Sequence, residues 1–234
     1  MSNSAARPST SLETGAKLEA GANPTSAQIL DDAELRRVQR RRKQTIRLGA
    51  VFLLGMVALC QSMAPRESQL HDTIEAIGLM AIGLCIFGRG WCSLYIGGRK
   101  KTELVTTGPY SMCRNPLYVF SFIGAFGVGA QTGSVVIAFV FAIVCWWVFR
   151  SVVLREEAVL ADRFGVAFKR YKNVMPRFRP TWYRWRDEDA LVCRPALFLT
   201  TTRDALWFLI AGPVFEGVKL MQAQGWIIPI LTLP

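Results

Sequence analysis

The sequence predicts an all-α integral-membrane protein: a multi-span helical bundle with four core spans and a C-terminal apolar stretch. That stretch is either a fifth span or a broken helix lying in the interface. Three observations predict this class. Hydrophobic residues make up 51% of the 234, yet the formal net charge is +11, a mixture that suits apolar spans joined by basic loops better than a soluble core. The apolar residues are gathered into runs near the roughly 20 residues needed to cross hydrocarbon. Finally, all but Arg66 and Lys219 of the 28 Lys and Arg residues fall within 1–47, 89–114 and 150–203. Those segments alternate with the span hairpins and so share one side, the cytoplasm by the positive-inside rule of a bacterial-type inner membrane.

Residues 1–35 read as a cytoplasmic N-terminal segment. Its first 28 residues, rich in Ser, Ala, Thr, Gly and Pro, bury too little to offset ordering entropy, which predicts disorder, and no apolar run marks a signal peptide. A basic block, Arg36, Arg37, Arg40, Arg41, Arg42, Lys43 and Arg47, is expected to anchor on anionic lipid and fix topology. The core, 36–203, holds the first span at 48–63, a short turn at Pro65–Glu67, and the second span at 74–95 with Glu75 and Arg89 near its ends. A polar loop, 97–114, follows. The apolar stretch 117–149, interrupted by Gly129-Ala130-Gln131-Thr132-Gly133-Ser134, reads as two antiparallel spans about a tight turn. Gly124, Gly127, Gly129 and Gly133 are assigned to close helix packing rather than to a nucleotide loop. The segment 150–203 is polar and basic, with Trp182, Tyr183 and Trp185 as interfacial aromatics. The last part, 204–234, is the apolar stretch left open above.

Several function classes fall away. Nucleic acid is not an expected partner, because the basic residues flank apolar runs instead of forming a polar, aromatic-studded face. The six cysteines show no CxxC or other metal spacing, and His71 is the single histidine, so no metal site is expected and the commonest general base is missing.

Two segments at the cytoplasmic boundary carry residues that packing alone does not explain. The first, 106–118, reads Thr-Thr-Gly-Pro-Tyr-Ser-Met-Cys-Arg-Asn-Pro-Leu-Tyr. Pro116 suits a helix start with Asn115 as its cap, but that leaves Tyr110, Arg114 and Tyr118 unexplained. The second, 155–180, opens Arg155-Glu156-Glu157 and continues through Leu160, Phe164-Gly165, Phe168, Tyr171 and Pro176-Arg177-Phe178. Adjacent carboxylates at a surface facing anionic lipid point to a cationic or hydroxyl-rich ligand, or else to a solvated helix end paired with Arg155.

Taken as one spaced pattern, TTGPY…RNPLY followed by EE…L…FG…Y…VMPRF resembles the isoprenylcysteine carboxyl methyltransferase family, part of a group of membrane methyltransferases that includes phospholipid N-methyltransferases. The match covers about residues 102–180. Many members carry His where Asn115 stands, Gly at Phe120 and a basic residue at Ser111. The resemblance implies S-adenosylmethionine (SAM) as cofactor, held by a signature to which Arg114, Pro116, Tyr118, Glu156 and Glu157 correspond; Tyr110, Asn115 and Arg177 complete the set of candidate cofactor-binding residues.

The chemistry of SAM suits these residue types. Arg114 or Arg177 can clamp its carboxylate; Glu156 or Glu157 can accept from the ribose hydroxyls or the ammonium; Tyr110 and Tyr118 can face the sulfonium. No catalytic residue is singled out. Without a cytoplasmic histidine, an acceptor ionised at neutral pH is favoured, a carboxylate or thiol, with an amine needing Glu157 as base. The expected function is methyl transfer to a lipid-like or small acceptor at the cytoplasmic face. The alternatives are an NADPH-dependent membrane reductase and a non-catalytic accessory membrane protein.

Overall fold

A computed structural model describes residues 55–62, 68–97, 99, 103–191 and 193–233. The expectations for the N-terminal segment, the basic block and most of the first span lie outside these residues. Residues 55–59 are helical. Strand β1 (Cys60–Ser62) follows and pairs in parallel with strand β2 (Leu231–Leu233), Cys60 opposite Leu231. This short ladder departs from the all-α expectation: the end of the stretch read as the first span is extended. Its backbone groups, which no helix serves, are paired with the C-terminal part of the chain.

Helix α1 (Gln69–Ile96) starts where the Ser68 side chain accepts from His71 N. Ile74, Gly78, Ile82, Cys85, Cys92 and Tyr95 recur at three- and four-residue spacing and are buried, a single inward stripe. Leu79, Met80, Leu84 and Phe87 on the other side are 49–70% exposed. A large apolar side chain left bare at every turn is the mark of a surface facing lipid rather than water. Helix α2 (Pro116–Ala130) and helix α3 (Val135–Val174) form the expected antiparallel hairpin. In the turn between them Gly133 has φ 77°, and the Ser134 side chain caps Ile137 N. The helices α1 and α2 approach closely at Gly78 and Gly127: a methyl group on either would lie 2.9 or 2.6 Å from the other's carbonyl oxygen. The close-packing reading of the apolar-helix glycines follows from this geometry.

Among the described residues two helices, α1 and α3, are long and apolar enough to cross a membrane, while α2 has 15 residues. The protein is a helical membrane protein. Helix α3 is longer than any bilayer needs and bends at Gly165, whose φ of 48° and ψ of −115° are not helical. Beyond the bend the helix lies outside the apolar region.

The C-terminal part comprises α4 (Pro195–Leu206), a 3-10 turn (Trp207–Ile210) and α5 (Ala211–Ala223). It runs antiparallel to α1 along almost its whole length. Near one end Ser93 donates to Thr201 Oγ1 at 3.2 Å. At the other, Lys219 Nζ reaches Glu75 at 2.7 Å and Glu216 at 2.8 Å, while His71 Nε2 lies 3.0 Å from Glu75. Phe215 of α5 packs with Val57, Ile137 and Phe141. The charges that interrupt this stretch in sequence are thus paired in space, with the lysine largely buried.

Candidate active site

The site forms at the end of α1 that carries Tyr95. Gly108 opens a 3-10 turn, Gly108–Ser111, with φ 56°, and a Cβ there would overlap the Tyr95 ring; only glycine fits. The segment 106–118 is then stitched to the chain that follows α3. Arg114 N donates to Pro176 O at 2.9 Å and Asn115 N to Arg177 O at 3.2 Å; Thr181 N donates to Met112 O, and Gly108 N to Arg186 O. Ser111, fully buried, donates to Gly108 O and accepts from Arg186 N. This fills the position where a basic residue is usual with a hydroxyl that serves the loop. The bend at Gly165 lets α3 return beneath the turn, where Tyr171 OH donates to Tyr110 O at 2.6 Å.

The two adjacent carboxylates have different surroundings, since neighbours on a helix point about 100° apart. Glu157 is buried and held on all sides. Arg177 grips both its oxygens, with Nη2 to Oε2 at 2.8 Å, and Asn115 Nδ2 donates to Oε1 at 3.1 Å. Arg114 Nε is 3.4 Å from Oε1 but out of alignment, leaving a buried N–H without a hydrogen-bond partner. Asn115 therefore does not cap α2 as expected. It occupies the N-cap position, but its amide is turned so that Nδ2 donates to the charged carboxylate of Glu157, a stronger bond than a neutral cap.

Glu156 instead faces a cavity of about 250 Å³, together with Tyr110, Arg114, Asn115, Tyr118 and Tyr171. Ile96, Val105, Leu117 and Leu160 supply apolar wall. Five of the eight residues singled out from the sequence thus line one cavity although they come from segments some forty residues apart. Pro116 starts α2, and Glu157 and Arg177 form the clasp behind the wall. Tyr171 had no assigned role in the sequence reading. Its signal was present, as the aromatic that closes the FG…Y part of the second segment.

The site's electrostatics follow from burial. It pulls the Arg114 guanidinium below its ordinary range, with Glu157 acting in the opposite direction. The Tyr110 and Tyr171 phenols are pushed up by burial, so both remain protonated donors. Hydrogen bonds to Glu157 hold the Arg177 guanidinium above its usual value. The cavity therefore presents one cation, Arg114, two carboxylates, Glu156 and the Arg99-paired Glu103, and three tyrosine rings around a largely apolar space. Those groups can hold a zwitterion with a positive centre and hydroxyls.

The sequence model of the phospholipid methyltransferase family matches residues 79–167. The nickel-cobalt-cadmium resistance protein NccN of Alcaligenes xylosoxydans xylosoxydans is 37% identical over 173 residues, 72% of this chain and 81% of that protein. The cobalt-zinc-cadmium resistance protein CzcN of Cupriavidus metallidurans is 36% identical over 67% of this chain and 72% of its own. The protein-S-isoprenylcysteine O-methyltransferase of Schizosaccharomyces pombe is 33% identical over 110 residues, 44% of this chain and 47% of that one. No solved structure matches significantly.

Proposed function

This chain belongs to the isoprenylcysteine carboxyl methyltransferase-like family of membrane methyltransferases, and on that premise we propose that it uses SAM to methylate a lipid-like or small acceptor at the cytoplasmic membrane face. The observation that carries the reading is the cavity itself, where Glu156, Arg114 and three tyrosines converge beside a buried guanidinium N–H without a partner. When bound, SAM supplies an electrophilic methyl group on a sulfonium. Arg114 would hold its carboxylate, using that N–H. Glu156 would accept from its hydroxyls or ammonium. Tyr110, Tyr118 and Tyr171 would give their ring faces to the positive centre, about 0.5–2 kcal/mol each.

The acceptor is read from what the site lacks. His71 stands in the first turn of α1, roughly 37 Å along the helix from Ile96 by helical rise, and cannot act as base. A nucleophile ionised at neutral pH, a carboxylate or thiol, needs no proton removed. Lipid-facing apolar side chains run along α1 and α3, so an acceptor dissolved in the bilayer can reach the head-group level where the cavity lies. The full reading of topology is N-terminus and site in the cytoplasm of a bacterial-type inner membrane, with four spans and a fifth made by α4 and α5. Relatives named for nickel, cobalt and cadmium resistance favour a second setting for the same chemistry, in which the methyl transfer serves metal tolerance.

Calorimetry on the purified protein tests the cofactor assignment. SAM should bind, NADPH should not, and Glu156→Gln and Arg114→Ala should each weaken SAM binding at least about tenfold, 1.4 kcal/mol. Unchanged affinity in both variants would sink the site; NADPH binding in place of SAM would give the protein to the reductases.

A further inference from the structure

A second cavity, of about 590 Å³, shares one side chain, Tyr171, with the first. Its wall carries three guanidinium groups, those of Arg170, Arg184 and Arg186, and no carboxylate. Among the described residues none of the three forms an ion pair. The acids nearest in sequence are turned elsewhere: Asp187 accepts from Tyr95 OH at 2.8 Å, and Glu188 is taken by Arg99 and by Thr107 Oγ1. Arg184 spends one N–H on Val174 O at 3.0 Å and lies 5.4 Å from the Tyr183 ring centroid. Among the described residues the other two guanidinium groups make no hydrogen bond.

Arg170 and Arg186 are exposed and Arg184 is half-buried, so the three like charges face an open cavity. Hydrogen bonds between 108–112 and 181–186 hold Arg184 and Arg186 there, Arg170 is carried by α3, and their mutual repulsion is relieved when an anion enters. Planar guanidinium forks match the oxygens of a phosphate in particular. The depth of the cavity follows from its aromatics. Trp185 stacks on Trp91 of α1 with ring centroids 5.5 Å apart, and Trp182 and Tyr183 are 71% and 82% exposed, the arrangement of side chains at a membrane–water boundary.

We propose that this second cavity is a phosphate-binding site, gripped by Arg170 and Arg186 with Arg184 behind them, and that it takes the phosphate head group of an anionic lipid. The site is separate from the methyl-transfer cavity and does not depend on the cofactor assigned there. Bound lipid would seat the protein at a fixed depth beside its own active site.

The test uses the full-length protein in detergent micelles at constant ionic strength, measuring equilibrium binding of labelled phosphatidic acid and of phosphatidylcholine. Inorganic phosphate serves as the soluble competitor. Phosphatidic acid should bind at least tenfold better than phosphatidylcholine. The pair Arg170→Gln, Arg186→Gln should lose that preference while keeping wild-type SAM affinity and melting temperature. The pair Lys169→Gln, Lys172→Gln, equally exposed but outside the cavity, removes the same charge and should keep it. Binding of inorganic phosphate without any preference for phosphatidic acid would retain the phosphate site but assign it a soluble ligand, overturning the lipid part of the proposal. Equal losses in the two charge pairs, or none in either, would overturn the site. Because SAM binding is read in parallel, failure here is distinguishable from failure of the cofactor assignment.

Discussion

Glu156 and Glu157 are neighbours with opposite surroundings, and the difference predicts opposite phenotypes. Glu157→Gln leaves Arg177 and Arg114 facing a neutral amide in a buried place, and breaking such a pair costs about 3 kcal/mol, at the lower end because Arg177 is 30% exposed. Its melting temperature should fall by several degrees, with activity lost through the fold. Glu156→Gln should lose less melting temperature than Glu157→Gln and lose SAM affinity directly; matching melts for the two variants would refute the division of roles. Glu188 gives the acid-side behaviour. Hydrogen bonds from Arg99 and Thr107 hold its carboxyl below the ordinary value of 4.5. A carboxyl with a depressed folded value adds stability above its unfolded value and loses it as the pH falls through the folded one. Below about pH 4.5 the grip of Glu188 on Arg99 and Thr107 should therefore weaken. Urea titrations across that range should show a steeper acid loss for wild type than for Glu188→Gln. The sequence made the paired carboxylates, Arg114 and the tyrosines legible through their spacing at a membrane boundary. It could not tell Glu156 from Glu157, because which of two adjacent helical residues faces a cavity depends on helix phase, and phase is fixed by the clasp with Asn115 and Arg177, 42 and 20 residues distant.

The length of α3 hides a joint. Hydrophobic and charged residues follow a helical rhythm up to and past Gly165, so the pattern reads as one rod. The glycine's φ of 48° and ψ of −115° instead turn the last stretch back, bringing Phe168 and Tyr171 under the Gly108–Ser111 turn. A Cβ at 165 would meet no atom within 4 Å, so the cost of Gly165→Ala is conformational, about 1–3 kcal/mol. That variant should lose the Tyr171 contact, and with it SAM affinity, more than its melting temperature alone implies. A variant that binds normally would show that the bend does not position the site. The C-terminal part was ambiguous for a related reason. Its charges lower the apparent hydropathy, and the pairing of Lys219 with Glu75 of α1 is a tertiary fact no window of sequence contains.

At the level of the whole molecule, charge asymmetry and helix direction can be checked against each other. If 97–114 and 155–194 face the cytoplasm, the antiparallel run of α4 and α5 along α1 carries the C-terminal part to the opposite face. The pairing of β2 with β1 agrees, because both then lie at the end of α1 that carries His71. Reporter fusions after Lys101 and after Pro180 should score cytoplasmic, and one after Leu233 periplasmic; a cytoplasmic score at the last position would reduce α4 and α5 to an interfacial hairpin. The parallel ladder also sets a schedule for biosynthesis. Cys60 leaves the ribosome roughly 170 residues ahead of its partner Leu231, an interval of roughly ten to thirty seconds at ordinary elongation rates. Through that interval the first strand stands in the nascent membrane assembly with its backbone groups unserved, a natural substrate for insertion machinery or chaperones, and a chain truncated before residue 231 would remain in that waiting state.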